Sequence, residues 1–425
     1  MKNTTRGVLK AMTLFRKKKI YLTALTALLI GASIGFAYGI FSDGGDLSVK
    51  NVSKQFDVIA KEIVSTCENE NYKPSCYDEE IPKLMDEGYT MEEAFQVTRV
   101  VQQMDRSYQY CHVLGHYLSA KETAKDSSKW KDVVARAPLG VCSNGAIHGA
   151  FQERFRVESM AGKSVAEIEP ELMGVCEPRP GWSPTLMGQA TCIHALGHLT
   201  MYATGAHIED SLDLCDRLVE GDQPNDSKRQ LCYDGAFMQI YQPLEPEDIA
   251  LIAGKEIETI EESIEFCESF SGSRLGSCIS ESWPLYNDSI KDPKTISLIC
   301  ERSKFDEWQY QRCTDGIFYV AMAQSNLSVD WAKGFCPKVG EELQGRCFGN
   351  SASRLIEVDN RNVSLALELC DFAYNEHGDE TCFDELLKYS GYTFAVGSPE
   401  FYELCNGMPD SWSFECLLQT KRENL

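Results

Sequence analysis

Eighteen cysteines recur along this 425-residue chain at a steady interval, and that recurrence restricts the possible folds more than any other feature. In the C-terminal part they fall in pairs: Cys267 and Cys278, Cys300 and Cys313, Cys336 and Cys347, Cys370 and Cys382, Cys405 and Cys416. Successive pairs begin about 34 residues apart, the period of a two-helix repeat unit. Each unit reads as a helix ending near its first cysteine, a polar turn, and a second helix opening with the second cysteine. Sequential pairing then staples each hairpin, at roughly 3 kcal/mol per bridge on the chain-entropy view. The N-terminal part follows a looser version, with Cys67–Cys76, Cys176–Cys192 and Cys215–Cys232, which leaves Cys111 and Cys142 to pair by elimination. Sustained period-2 alternation is almost absent. The expected fold class is all-α: disulfide-stapled helical-hairpin repeats forming an α-solenoid.

The second-helix segments Gly345-Arg346-Cys347 and Cys111-His112-Val113-Leu114-Gly115-His116-Tyr117-Leu118 carry a family flavour. With the period and the in-repeat cysteine pair, they resemble Sel1-like repeats in their cysteine-rich bacterial form, relatives of tetratricopeptide repeats. The resemblance covers most of residues 63–425 at the level of spacing, and the usual Ala and Gly consensus positions are largely missing. It implies architecture. It does not imply a function; solenoids of this kind usually serve as protein-binding scaffolds, and a protein partner on the acidic concave face belongs to that alternative reading.

Residues 20–41, IYLTALTALLIGASIGFAYGIF, carry no charge and are long enough to span a bilayer as a helix. Lys2, Arg6, Lys10, Arg16, Lys17, Lys18 and Lys19 precede them without one acidic residue, which keeps the N-terminus cytoplasmic. A cleaved signal at Gly35-Phe36-Ala37 is the rival reading, but signal cores usually run only about 7–15 residues. The expected organisation is a cytoplasmic tail (1–19), a transmembrane signal anchor (20–41), a stalk (42–62), a histidine-rich helical domain (63–255) and C-terminal stapled repeats (256–425). The outer part sets 34 Lys and Arg against all 64 Asp and Glu. Such an acidic surface excludes a nucleic-acid partner. All eighteen cysteines lie there, as disulfides in an oxidising compartment require. Sequons at Asn51, Asn225, Asn287, Asn326 and Asn362 lead us to expect a glycoprotein.

Chemistry is concentrated in the histidines. Of seven, four form two H-x-x-x-H pairs, His112/His116 and His194/His198, both inside H-[VA]-L-G-H. Random placement would give about 0.1 such pairs. On a helix, residues i and i+4 share a face and can reach one metal ion. His148 follows Cys142 by the same interval that separates His198 from Cys192, so five imidazoles are expected at one height on neighbouring repeats. Met238 and Tyr319 hold the corresponding positions of later repeats. His112, His116, His148, His194 and His198 are therefore the expected ligands of one metal centre, with opposing helices supplying the two pairs. Imidazole-only sites suit zinc first, with copper or iron as alternatives. The competing reading makes these histidines structural packing groups in a scaffold.

Glu153 and Asp105 are nearby acid or base candidates, although ordinary surface carboxylates are the commoner case. His207 reads as a loop residue, His377 as solvated, and Phe318 and Tyr319 as core. The 177–184 segment, EPRPGWSP, is either a rim over the site or a plain connection. Neither C-x-x-C-H, H-E-x-x-H, G-x-S-x-G nor a phosphate loop occurs, so no catalytic residue is assigned.

Overall fold

The computed structural model describes residues 54–155, 164–219, 227–243, 245–303 and 306–422. The chain divides into two compact units, Met1–Glu62 and Ile63–Leu425. Within the first, residues 54–62 are helical. The described residues of the second contain helices and no strand, with one isolated antiparallel bridge between Arg179 and Trp182.

All eighteen cysteines are bonded, and every pairing expected from the period is present. Cys111–Cys142, reached by elimination, closes the widest loop, with a sequence separation of 31. Such a density of bridges belongs to an oxidising, extracytoplasmic environment.

The first helix of each hairpin is amphipathic. In Ile208–Leu218, Leu212, Cys215 and Leu218 are buried at helical spacing while acidic residues fill the first turn. The second helices form a consecutive layer: His112–Ala124, Gly145–Arg154, Leu186–Ala203, Ser227–Tyr241, Gly272–Glu281, Glu307–Gln324, Gln344–Val358 and Thr381–Thr393, each packed on the next. Their start points differ from expectation. Cys192, Cys278 and Cys313 sit well inside their helices. Thr185 and Asp306 explain this for two of them, because their side chains accept from the first free amides and so start the helix at the cap.

The repeats curl back on themselves instead of remaining an open solenoid. Thr381–Thr393 packs on Leu186–Ala203, and Gln344–Val358 meets the turn at Cys142–Asn144. Asn360 donates its backbone N–H to the Gly140 carbonyl at 3.1 Å, and Arg361 reaches Gln102 at 3.3 Å. The Asn326 side chain donates to the Arg106 carbonyl at 2.8 Å. The second helices therefore enclose space.

Residues 20–41, the expected anchor, lie outside the described residues, as do Asn51 and Asn225. Among the described residues no helix is long and apolar enough to cross a membrane. Of the remaining sequons Asn287 is exposed, whereas the amide nitrogens of Asn326 and Asn362 already donate to backbone carbonyls.

Candidate metal centre

The two H-[VA]-L-G-H segments share a packing device. A Cβ at Gly145 would stand 2.2 Å from the His112 carbonyl oxygen, and one at Gly235 would stand 2.0 Å from that of His194. Only glycine lets the helices approach so closely, and the approach brings the next helix against the histidine face. His112 and His116 lie on His112–Ala124, His148 on Gly145–Arg154, and His194 and His198 on Leu186–Ala203.

The five imidazoles form a row. Ring centroids stand 4.7 Å apart for His112/His116 and 5.0 Å for His194/His198. His148 lies between the pairs, 5.0 and 5.1 Å from the first and 5.5 and 5.3 Å from the second. Three helices lying side by side thus bring all four other rings within 5.5 Å of His148, which stands between the two pairs. His112, His116 and His148 each offer a nitrogen, and these lie within 4.8 Å of one another. His194 and His198 stand beyond that group.

Within each pair the Nε2 atoms face each other, at 3.0 Å for His116 and His112 and 3.2 Å for His198 and His194. Two nitrogens bound to one ion at about 2.0–2.1 Å stand roughly 3.0–3.4 Å apart, so both spacings fit. The outer nitrogens are anchored. His116 Nδ1 meets Glu245 Oε1 at 3.0 Å, His198 Nδ1 meets Gln239 Oε1 at 2.8 Å, and the Leu231 backbone bonds to His194. An imidazole that donates through Nδ1 keeps its Nε2 lone pair free, the tautomer that a metal requires. His112 Nδ1 and His148 Nε2 are buried without a partner. Burial, reinforced by neighbouring imidazoles, holds His112 and His148 well below the ordinary histidine range. Burial also lowers His194 and His198, with the Gln239 bond opposing it at His198. Uncharged rings are what a cation needs to find.

The backbone leading into the His148 helix is unusual. Cys142, Ser143 and Asn144 all have positive φ, at 51°, 48° and 57°. Three consecutive left-handed residues without a glycine are costly, at about 1–2 kcal/mol each. The Cys111–Cys142 bridge holds one end of the turn, and Asn144 Oδ1 accepts from the Gly140 amide at 2.8 Å.

The chain matches no family model, no curated protein and no solved structure.

Two cavities meet at the histidine row. One, about 550 Å³, is lined by His116, His148 and His198 together with Asp78, Glu79, Glu153, Glu245 and Glu247. The other, about 750 Å³, is lined by His112, His148 and His194. Glu153 therefore stands in the acidic cavity. Asp105 does not: it terminates the Met91–Met104 helix, accepts from Tyr77 at 2.7 Å and Ser107 at 2.6 Å, and serves a turn. These bonds hold its carboxyl down at about 2, against the effect of burial. His207 caps Ile208–Leu218 and His377 ends Val363–His377, both exposed and apart from the row. Residues 177–184 line neither cavity. Phe318 is core, as expected, but Tyr319 lines the 750 Å³ cavity with Met238, in register with the histidines. Sequence reasoning missed Glu245 and Gln239. Glu245 opens a short capped helix, and nothing in its spacing points to His116.

Proposed function

We propose that this chain is a membrane-anchored, extracytoplasmic metal-binding protein, with His112, His116 and His148 as the primary ligands and residues 20–41 as the anchor. The observation that carries the reading is the His112/His116 pair. Its facing Nε2 atoms are 3.0 Å apart, its outer nitrogen rests on Glu245, and a third imidazole lies within reach. The ion would be zinc, with copper or iron as alternatives, since every nearby thiol is consumed in a bridge. When bound, such an ion polarises oxygen ligands and acidifies bound water. Three protein ligands leave a coordination position for substrate, which makes a metalloenzyme the form of this reading to test first.

The chain's own residues have definite tasks. Glu245 fixes the His116 ring and its tautomer. The carboxylates of the acidic cavity concentrate cations at the row. Closure of the repeats weighs against the scaffold alternative, because the second helices face cavities too small for a partner domain.

Elemental analysis of the full-length protein after dialysis tests the proposal. We expect stoichiometric metal, lost in His116→Ala/His148→Ala and unchanged in His377→Ala. A metal-free wild type with all nine disulfides and full helicity would overturn it.

A further inference from the structure

The His194/His198 pair lies outside the group of three proposed ligands, yet it repeats the geometry of the His112/His116 pair. Its Nε2 atoms face each other at 3.2 Å, within the roughly 3.0–3.4 Å that separates two nitrogens bound to one ion. Both outer nitrogens are held by one neighbouring helix, Ser227–Tyr241. His198 Nδ1 donates to Gln239 Oε1 at 2.8 Å, and the Leu231 backbone accepts from His194. Leu231 and Gln239 stand four residues to either side of Gly235, the glycine whose missing Cβ lets that helix approach the His194 carbonyl.

The placement of protons separates this pair from the first. His112 Nδ1 has no partner, so His112 can carry its proton on Nε2 and give it to His116. His194 and His198 both direct theirs outward, and neither ring keeps one for the other. Two Nε2 lone pairs then meet at 3.2 Å. Facing lone pairs repel, and a cation between them turns the repulsion into two bonds.

Each pair has one member on either cavity. His198 lines the acidic cavity with Glu153 and Glu247, and His194 lines the 750 Å³ cavity with Tyr319, Arg354, Tyr389 and Tyr392. The carboxyls of the latter attract no cation. Glu357 is paired with Arg354, and burial beside Asp234 pushes Glu281 up to about 8, so it keeps its proton at neutral pH. A cation therefore reaches the pair from the acidic side.

We infer that His194 and His198 hold a second divalent transition-metal ion of the zinc class, distinct from the one on His112, His116 and His148. With two protein imidazoles in place of three it is the more weakly held, leaves on the dialysis that keeps the first, and has more positions open to water or substrate. The site stands on its own pair of rings, and only the count of two ions per chain rests on the function proposed above.

The experiment is calorimetric titration of zinc(II) into the dialysed full-length protein in nanodiscs, with elemental analysis of every sample. We expect one further equivalent to bind, with a Kd of about 10 μM or tighter. His194→Ala/His198→Ala should lose that equivalent and keep the first ion, with circular dichroism reporting the fold. Gln239→Leu keeps all five imidazoles and removes only the acceptor behind His198. It should weaken the second ion about tenfold and leave the first unchanged, as loss of an outer partner of a metal ligand does. A wild type that takes up no second equivalent would overturn the inference. So would extra uptake that persists undiminished in both variants, which belongs to surface carboxylates. A single ion lost in His194→Ala/His198→Ala and equally in His112→Ala/His116→Ala would be one centre on five histidines, and also overturns it. Protein that lacks the first ion but binds one zinc through His194 and His198 supports this site and removes the first from the proposed function.

Discussion

Two glycine-to-alanine changes in similar helices should move stability in opposite directions. At Gly149 an added Cβ would lie 2.0 Å from the His116 carbonyl oxygen and 2.5 Å from Ser119 Oγ. A carbon and a carbonyl oxygen do not approach within about 3 Å, so the His112–Ala124 and Gly145–Arg154 helices must part by about 1 Å in a close-packed interior. Overpacking of this kind costs about 2–3 kcal/mol, and the better helix propensity of alanine returns only about 1 kcal/mol. Gly149→Ala should therefore lose about 1–2 kcal/mol. Gly316, inside Glu307–Gln324, is exposed, and its added Cβ would meet nothing within 4 Å. Gly316→Ala keeps the propensity gain without the clash, a stabilisation of about 0.5–1 kcal/mol. Urea denaturation followed by far-UV circular dichroism, with disulfides intact, measures both. Equal midpoints for the two variants would show that the close helix approach around His116 and His148 is not a real constraint.

Removing Cys111–Cys142 as the double serine variant should cost about 3.7 kcal/mol on the chain-entropy relation, against about 3 kcal/mol for the shorter Cys300–Cys313 loop. Thermal denaturation of the two variants gives the order, and the first should also loosen the left-handed turn before His148. Glu281 sets a pH dependence. Its folded carboxyl is pushed up to about 8 from an ordinary 4.5, so the unfolded chain releases the proton first. Its contribution to stability is present below about pH 4.5 and is lost as pH rises through about 8. Urea midpoints taken between pH 5 and 8.5 should fall less steeply for Glu281→Gln than for wild type, and parallel curves would disprove the assignment.

The cysteine spacing made the repeat plan and eight of the nine bridges legible, because a staple within one hairpin joins residues close in sequence, and Cys111–Cys142, 31 residues apart, followed only by elimination. The register of His112, His148 and His198 was legible for the same reason: each is counted from a cysteine of its own repeat. Their common orientation follows from helical geometry, but the shape of the group does not. Which imidazoles come within ligand distance of one another depends on how the helices lie side by side, as at Gly145 between His112–Ala124 and Gly145–Arg154. The cavity could not be read at all. Tyr319, Arg354, Tyr389 and Tyr392 join His112 through contacts more than 200 residues away in the chain, and each alone resembles a core aromatic or a surface arginine. Glu245 was hidden because a single carboxylate among 64 acidic residues carries no pattern.

Closure of the repeats has a consequence for how this chain is made. An open array can gain one hairpin after another, each resting on the one before. Here Gly140 waits for Asn360, Gln102 for Arg361 and Arg106 for Asn326, pairings that bridge more than 200 residues. During synthesis the early hairpins can oxidise and pack locally, but their inner faces stay wet until the last repeats have emerged. Release from the ribosome before about residue 360 would leave a chain with correct local disulfides and no enclosed interior, a species that a quality-control system would distinguish by exposed apolar surface and not by free thiols.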